Sequence, residues 1–289
     1  NEPVISKTSE DTDGNLVFNV TNTYTPETMS VKATKTWNDN DNTDGLRNNI
    51  DKITLTLQKR VAQGDVYSGN FTSDGIAEAT YEVPKDKYVD SDNWNTWDNL
   101  PKYANGKFIQ YRVKEDITYK TGEKRSYTQK YNGNDSLEAS YVTGENATNN
   151  QAAVAIQNVY GSEKITINVN KIWNDRADRD GLRKHIKSIE FKLQGRNEGT
   201  ENWTTLTGKT QERDLSGDNP NYDIQVTWDN LSKYEGGILR EYRVVETVTY
   251  KDGTKDDEKY ESPEYRNNLI CGASGTVEII NTHIPEKVK

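Results

Sequence analysis

Two copies of one strand pattern constrain this chain more than any other feature. Val31–Arg60 reads VKATKTWNDNDNTDGLRNNIDKITLTLQKR, and Ile167–Arg196 reads INVNKIWNDRADRDGLRKHIKSIEFKLQGR. Lys35 of the first copy returns as Lys171 in the second, 136 residues on. Side chains alternate between the two faces of a strand, so Ile165, Ile167, Val169, Lys171 and Trp173 share one face, and Val31, Ala33, Lys35 and Trp37 do the same. The apolar face must turn inward and carries a lysine with it. A buried ammonium is costly unless it is paired or loses its charge.

Later strands offer partners in the same phase. Tyr111, Val113, Glu115, Ile117 and Tyr119 share a face, as do Tyr242, Val244, Glu246, Val248 and Tyr250, which turns Glu115 and Glu246 inward. Val154, Ile156, Asn158 and Tyr160 align, and so do Val277, Ile279 and Asn281. Each half of the chain therefore places one lysine, one acid and one asparagine on the core faces of three separate strands.

The blocks keep their order in both halves. WDNLPKY at Trp97–Tyr103 matches WDNLSKY at Trp228–Tyr234. Two units of roughly 130 residues are expected, 28–160 and 161–289, joined without a Ser/Gly-rich or Pro-rich linker into an end-to-end rod of limited flexibility. Residues 1–27 carry NVTNTYTPE, close to the C-terminal EIINTHIPE, and read as the last strand of a preceding repeat plus a linker. Asn22 there has no lysine or acid strand upstream, and its strand is free to add to a sheet edge.

Hydrophobic residues make up only 31% of the 289 residues, yet 17 Tyr and 6 Trp in alternating runs favour thin all-β sandwiches over disorder. Strands are expected at 31–37, 52–59, 66–72, 78–83, 108–117, 127–131 and 152–160. In the second unit they are expected at 164–173, 187–195, 202–207, 222–228, 238–250, 259–265 and 275–282. Helical periodicity is weak, with at most a turn near 44–50 and 180–186. No apolar run reaches the ~20 residues of a membrane span, and no signal peptide is present, as in a mature fragment. A net charge of −9 without a basic patch argues against nucleic acid. The single Cys271 excludes an intrachain disulfide and reads as structural.

The motifs Lys35-Thr-Trp-Asn-Asp39, Asp44-Gly-Leu-Arg47, Trp97–Tyr103, Tyr111-Arg-Val-Lys-Glu115 and a closing Asn158-Val-Tyr160 resemble the collagen-adhesin B-type repeat (Cna B) family of Gram-positive surface adhesins and pilins. The resemblance covers both units. It implies tandem reverse immunoglobulin-like β-sandwich domains, serving as stalk modules of a cell-wall-anchored extracellular protein whose anchor lies outside these residues. It also implies an intramolecular isopeptide bond from lysine to asparagine, promoted by the acid: Lys35, Glu115 and Asn158 in one unit, Lys171, Glu246 and Asn281 in the other. Asn48 and Lys184 stand where many members have proline, which leaves the triads untouched.

The chemistry fits that implication. An apolar setting beside tryptophan disfavours the ammonium and raises the carboxyl pKa, so a neutral amine can attack a carboxamide polarised by a neutral acid. This is a single-turnover maturation step, not enzymatic turnover. Such a bond ties the first strand of a unit to its last and carries pulling force past the intervening sheet. The competing reading is a buried Lys–Glu ion pair with asparagine as a hydrogen-bonded neighbour.

Other readings rank lower. The loops 61–93, 118–150 and 251–274 are long enough to bind a host protein or glycan. Otherwise the expected partners are neighbouring repeats, with a matrix or cell-surface ligand held by other domains, no membrane contact and a monomeric chain. No cofactor or metal is expected. The acidic run Asp39–Gly45 meets the calcium-loop glycine spacing only from Asn40, so a solvated turn is preferred. His185 and His283 lack zinc spacing and are assigned to the surface. Trp94, Trp97, Trp203 and Trp228 are assigned to cores. No motif selects a carboxylate pair for glycoside hydrolysis.

Overall fold

The computed structural model describes residues 2–283, in which strands dominate and only short 3-10 turns interrupt them. The chain divides into two compact units, one comprising 1–38, 50–123 and 127–159, the other 39–49, 124–126 and 160–289.

In the first unit a four-stranded sheet runs in the order Thr128–Tyr131, Gln151–Val159, Thr28–Asn38, Ser91–Pro101. A three-stranded sheet, Thr80–Glu82, Ile50–Arg60, Gln110–Tyr119, supplies the other core wall. The alternation in the sequence is realised directly: Val31, Ala33 and Lys35 are buried along one strand, Tyr111, Val113 and Glu115 along another, and Val154, Ile156 and Asn158 along a third. The lysine strand and the asparagine strand are parallel neighbours, pairing Lys35 with Ile156 and Trp37 with Asn158.

The second unit repeats the plan. Gln225–Ser232, Lys164–Asn174, Gly275–Thr282 and Glu264–Arg266 form one sheet. Thr204–Asp214, Ile186–Asn197 and Ile238–Tyr250, with two short additions, form the other. The parallel register recurs, with Lys171 on Ile279 and Trp173 on Asn281. One apolar cluster, from Ile165 and Ile167 to Val277 and Ile279, fills the space between the sheets.

Several local expectations are corrected. Residues 66–72 form no strand, only isolated bridges at Val66 and Thr72, because Gly69 and polar neighbours interrupt the run. Ser91–Pro101, not expected as a strand, is 11 residues long. Its buried residues Trp94, Trp97 and Leu100 are spaced by three, since its pairing with the lysine strand shifts register twice. The 202–207 strand extends over Thr204–Asp214, and only Glu264–Arg266 of 259–265 is strand. The expected turns are 3-10 turns at Leu46–Asn49 and Arg183–His185.

Near the N-terminus, Leu16–Thr21 pairs with Val4–Glu10 rather than with another sheet. Asn22 follows this ribbon, exposed. The C-terminal IPE of the matching segment lies outside the described residues. Trp203 is only half-buried, its ring 4.4 Å from the Arg196 guanidinium carbon and 4.6 Å from that of Arg243. Cys271 is exposed. His283 is half-buried with its ring edge toward Tyr260, and His185 is half-buried too.

Candidate functional site

Parity puts the three side chains inside, and sheet order brings them together. Lysine and asparagine come from adjacent parallel strands of one sheet, and the acid comes from the facing sheet. In the first unit Lys35 Nζ lies 2.8 Å from Glu115 Oε1, and Asn158 Nδ2 donates to the same oxygen at 3.3 Å. In the second, Asn281 Nδ2 donates to Glu246 Oε1 at 2.7 Å, while Lys171 Nζ stands 3.7 Å from Glu246 Oε2. Lys171 also donates to the carbonyl of Ile172 at 3.2 Å. All six residues are buried, Asn158 completely.

Aromatic rings close the lysine end. Lys35 Nζ sits 4.6 Å from the Trp37 ring centroid and 4.8 Å from that of Trp94. Lys171 Nζ sits 4.1 Å from the Trp173 ring. Burial dominates the electrostatics. It pushes the Glu115 and Glu246 carboxyls up against the opposing pull of their lysines. It lowers Lys171 to about 8, with Glu246 pulling the other way. Desolvation thus favours the neutral amine and the neutral acid over the separated charges.

Four polar atoms are conspicuous. Glu115 Oε2, Asn158 Oδ1, Glu246 Oε2 and Asn281 Oδ1 are buried and accept no hydrogen bond. A buried acceptor without a hydrogen bond costs about 1–3 kcal/mol, and the same pair of atoms lacks one in both units, Glu246 Oε2 having only Lys171 Nζ at 3.7 Å. A proton on the carboxyl would let the acid donate to the carboxamide oxygen and relieve both at once.

Sequence reasoning missed the support around this centre. Arg183 grips the buried Asp175 through Nε and Nη2, each at 2.7 Å, and Arg47 grips Asp39 with the same two distances. Tyr260 Oη donates to Asp175 at 2.7 Å. Burial alone would raise the Asp175 carboxyl, but the bonds from Arg183 and Tyr260 outweigh it and hold it at about 2. The turn that carries the acidic run Asp39–Gly45 thus holds its first carboxylate in an internal arginine fork. The signal was present as the repeated Asn-Asp…Gly-Leu-Arg block. Tyr131 and Tyr265, also unforeseen, accept the backbone N–H of Glu115 and Glu246.

Fold and site together define an all-β protein of tandem sandwich modules, each enclosing an amine, an acid and a carboxamide. The chain matches the family described as "Cna protein B-type domain" over residues 31–149 and 167–268. It belongs to that family. A collagen adhesin of Staphylococcus aureus is 28% identical over an alignment of 232 residues that covers 77% of this chain and 15% of that protein. The chain thus spans about 15% of the length of this relative. Among solved structures, two B repeat units of the collagen-binding protein of S. aureus share 24% identity, covering 98% of this chain and 56% of that one at a TM-score of 0.31. A major pilin of Streptococcus pyogenes (T-13) shares 12% identity, with coverages of 88% and 96% and a TM-score of 0.31.

Proposed function

We propose that the two units are structural stalk modules of a Gram-positive cell-wall-anchored surface adhesin. Each is braced by an intramolecular isopeptide bond, Lys35 to Asn158 and Lys171 to Asn281. Membership of the B-type family supports a structural module of the stalk or adhesin type. The observation that carries the covalent reading is the duplicated pair of bare acceptors on acid and carboxamide.

The lysine amine attacks the asparagine carboxamide carbon, and the protonated glutamic acid hydrogen-bonds to the carboxamide oxygen as charge develops there. The new C–N bond replaces the bond to Nδ2. That nitrogen leaves as ammonia, carrying a proton relayed from the lysine through the carboxyl group. The folded core supplies the proximity, and its dryness excludes competing hydrolysis. The acid is regenerated, but the reactants are consumed, so each centre reacts once.

The intact mass of the full chain tests this. Two bonds lower the mass by about 34 Da from the sequence value, one ammonia for each amide formed. A mass equal to the sequence value would overturn the crosslinks.

The rate should also have a distinctive pH profile. Ammonium with carboxylate and amine with carboxylic acid hold the same single proton, so passing between them needs no proton from solvent. The population of the reactive form is then independent of pH across a plateau, expected at roughly pH 5 to 8. On the acid side a second proton leaves an ammonium that cannot attack. On the alkaline side, loss of the single shared proton leaves a carboxylate that cannot donate. Cell-free synthesis followed by timed mass measurement reads this; a rate that climbs tenfold per pH unit through neutrality would point to a lysine acting alone.

A further inference from the structure

In the first unit the strand that carries the acid is the edge of its sheet, and in the second it meets only the short strands Tyr234–Glu235 and Ile270–Cys271 besides Ile186–Asn197, so the outer N–H groups near the acid are completed by other segments. In the first unit, Tyr111 exchanges backbone bonds with Val142. Four residues further along the same strand, the Glu115 N–H meets the Tyr131 hydroxyl at 3.2 Å. That hydroxyl also lies 3.4 Å from the Glu115 carbonyl. In the second unit the Asn268 side chain takes the N–H and carbonyl of Val244, at 2.7 and 2.8 Å. The Tyr265 hydroxyl takes the N–H of Glu246 at 3.0 Å.

These phenols come from the opposite sheet, on the strand next to the asparagine. Tyr131 pairs with Ile156, two residues before Asn158, and Tyr265 pairs with Ile279, two residues before Asn281. The spacing is the same in both units, although the segments linking acid and tyrosine differ: 16 residues in one and 19 in the other. Each phenol therefore fixes the backbone of the acid relative to the strand of the carboxamide, across the gap between the sheets. Burial holds the Tyr131 hydroxyl protonated, its pKa pushed up to about 12.

We propose that Tyr131 and Tyr265 are positioning residues for isopeptide formation, each setting the height of its glutamic acid over the carboxamide. The proposal rests on the crosslinking reading above. The hydroxyl of each tyrosine bonds to the backbone of its acid and not to the carboxyl group. Its effect is exerted through the backbone of Glu115 or Glu246, and a displacement of the order of 1 Å in a reacting geometry costs up to about a hundredfold in rate.

Tyr131→Phe and Tyr265→Phe in the full chain, made by cell-free synthesis and quenched at intervals, provide the test. Intact mass gives the overall rate, and the branched tryptic peptides report Lys35–Asn158 and Lys171–Asn281 separately. Each variant should slow its own bond by about tenfold, the equivalent of one displaced backbone hydrogen bond, and leave the other unit unaffected. The plateau of the pH profile should drop without moving its edges. A wild-type chain that loses no ammonia would defeat the crosslinking reading itself. A wild-type chain that crosslinks while both variants keep pace with it would overturn the tyrosine proposal alone. So would a slowing that vanishes when an osmolyte restores full folding. Tyr265, only half-buried, provides the variant least able to disturb the core.

Discussion

Asn281→Ala should lower the melting temperature of the second unit by about 15–20 °C, with one ammonia fewer lost from the chain. The bond from Lys171 to Asn281 closes a loop of about 110 residues, and a cross-link over such a loop removes chain entropy worth roughly 4–5 kcal/mol from the unfolded state. The substitution leaves the Lys171–Glu246 pair in place, so nearly all of the loss belongs to the cross-link. Calorimetry of the full chain checks this, with the first unit as internal standard. A shift of only a few degrees would mean that the native centre is an ion pair with an asparagine neighbour, and that no covalent brace was lost.

Glu246→Ala should be more damaging still. It stops the bond from forming and also strands Lys171 in a core where its nearest remaining acceptors are the Ile172 and Ile279 carbonyls. Breaking a buried pair from one side typically costs about 3–5 kcal/mol, on top of the missing cross-link. Lys171 would then be driven neutral, so this variant should gain stability as the pH rises: the unfolded chain keeps its ammonium up to about 10.4, while the folded core has released it well below that. Adding Lys171→Met removes the stranded amine and should recover most of the extra loss, returning stability to the level of Asn281→Ala. Urea titration of the three variants resolves the order. Equal midpoints for Glu246→Ala and Asn281→Ala would show that the lysine needs no partner.

Much of the centre is legible in one dimension because strand parity is strict. Lys35, Glu115 and Asn158 each fall on a face with two or more apolar residues, and a one-residue slip would have exposed all of them. The duplication removes coincidence, since the same types return as Lys171, Glu246 and Asn281 in the same order. Ser91–Pro101 shows the limit of this reading. Its inward residues follow a spacing of three, imposed by register shifts in the partner strand, and no pattern of period two could reveal it. The fork of Arg183 on Asp175 was similarly hidden, because acid-rich turns look alike until an arginine is seen to fill one.

The sequence by itself determined which side chains go inward, and with them the chemical inventory of each core. Alternation is a local property of the extended backbone and needs no knowledge of neighbours. Only the tertiary structure decided that the first and last strands of a unit lie parallel, side by side, and that a tyrosine reaches across to the acid. Strand order follows from packing between segments more than a hundred residues apart, and the tyrosine bridge from the facing of two sheets, neither of which periodicity along the chain encodes.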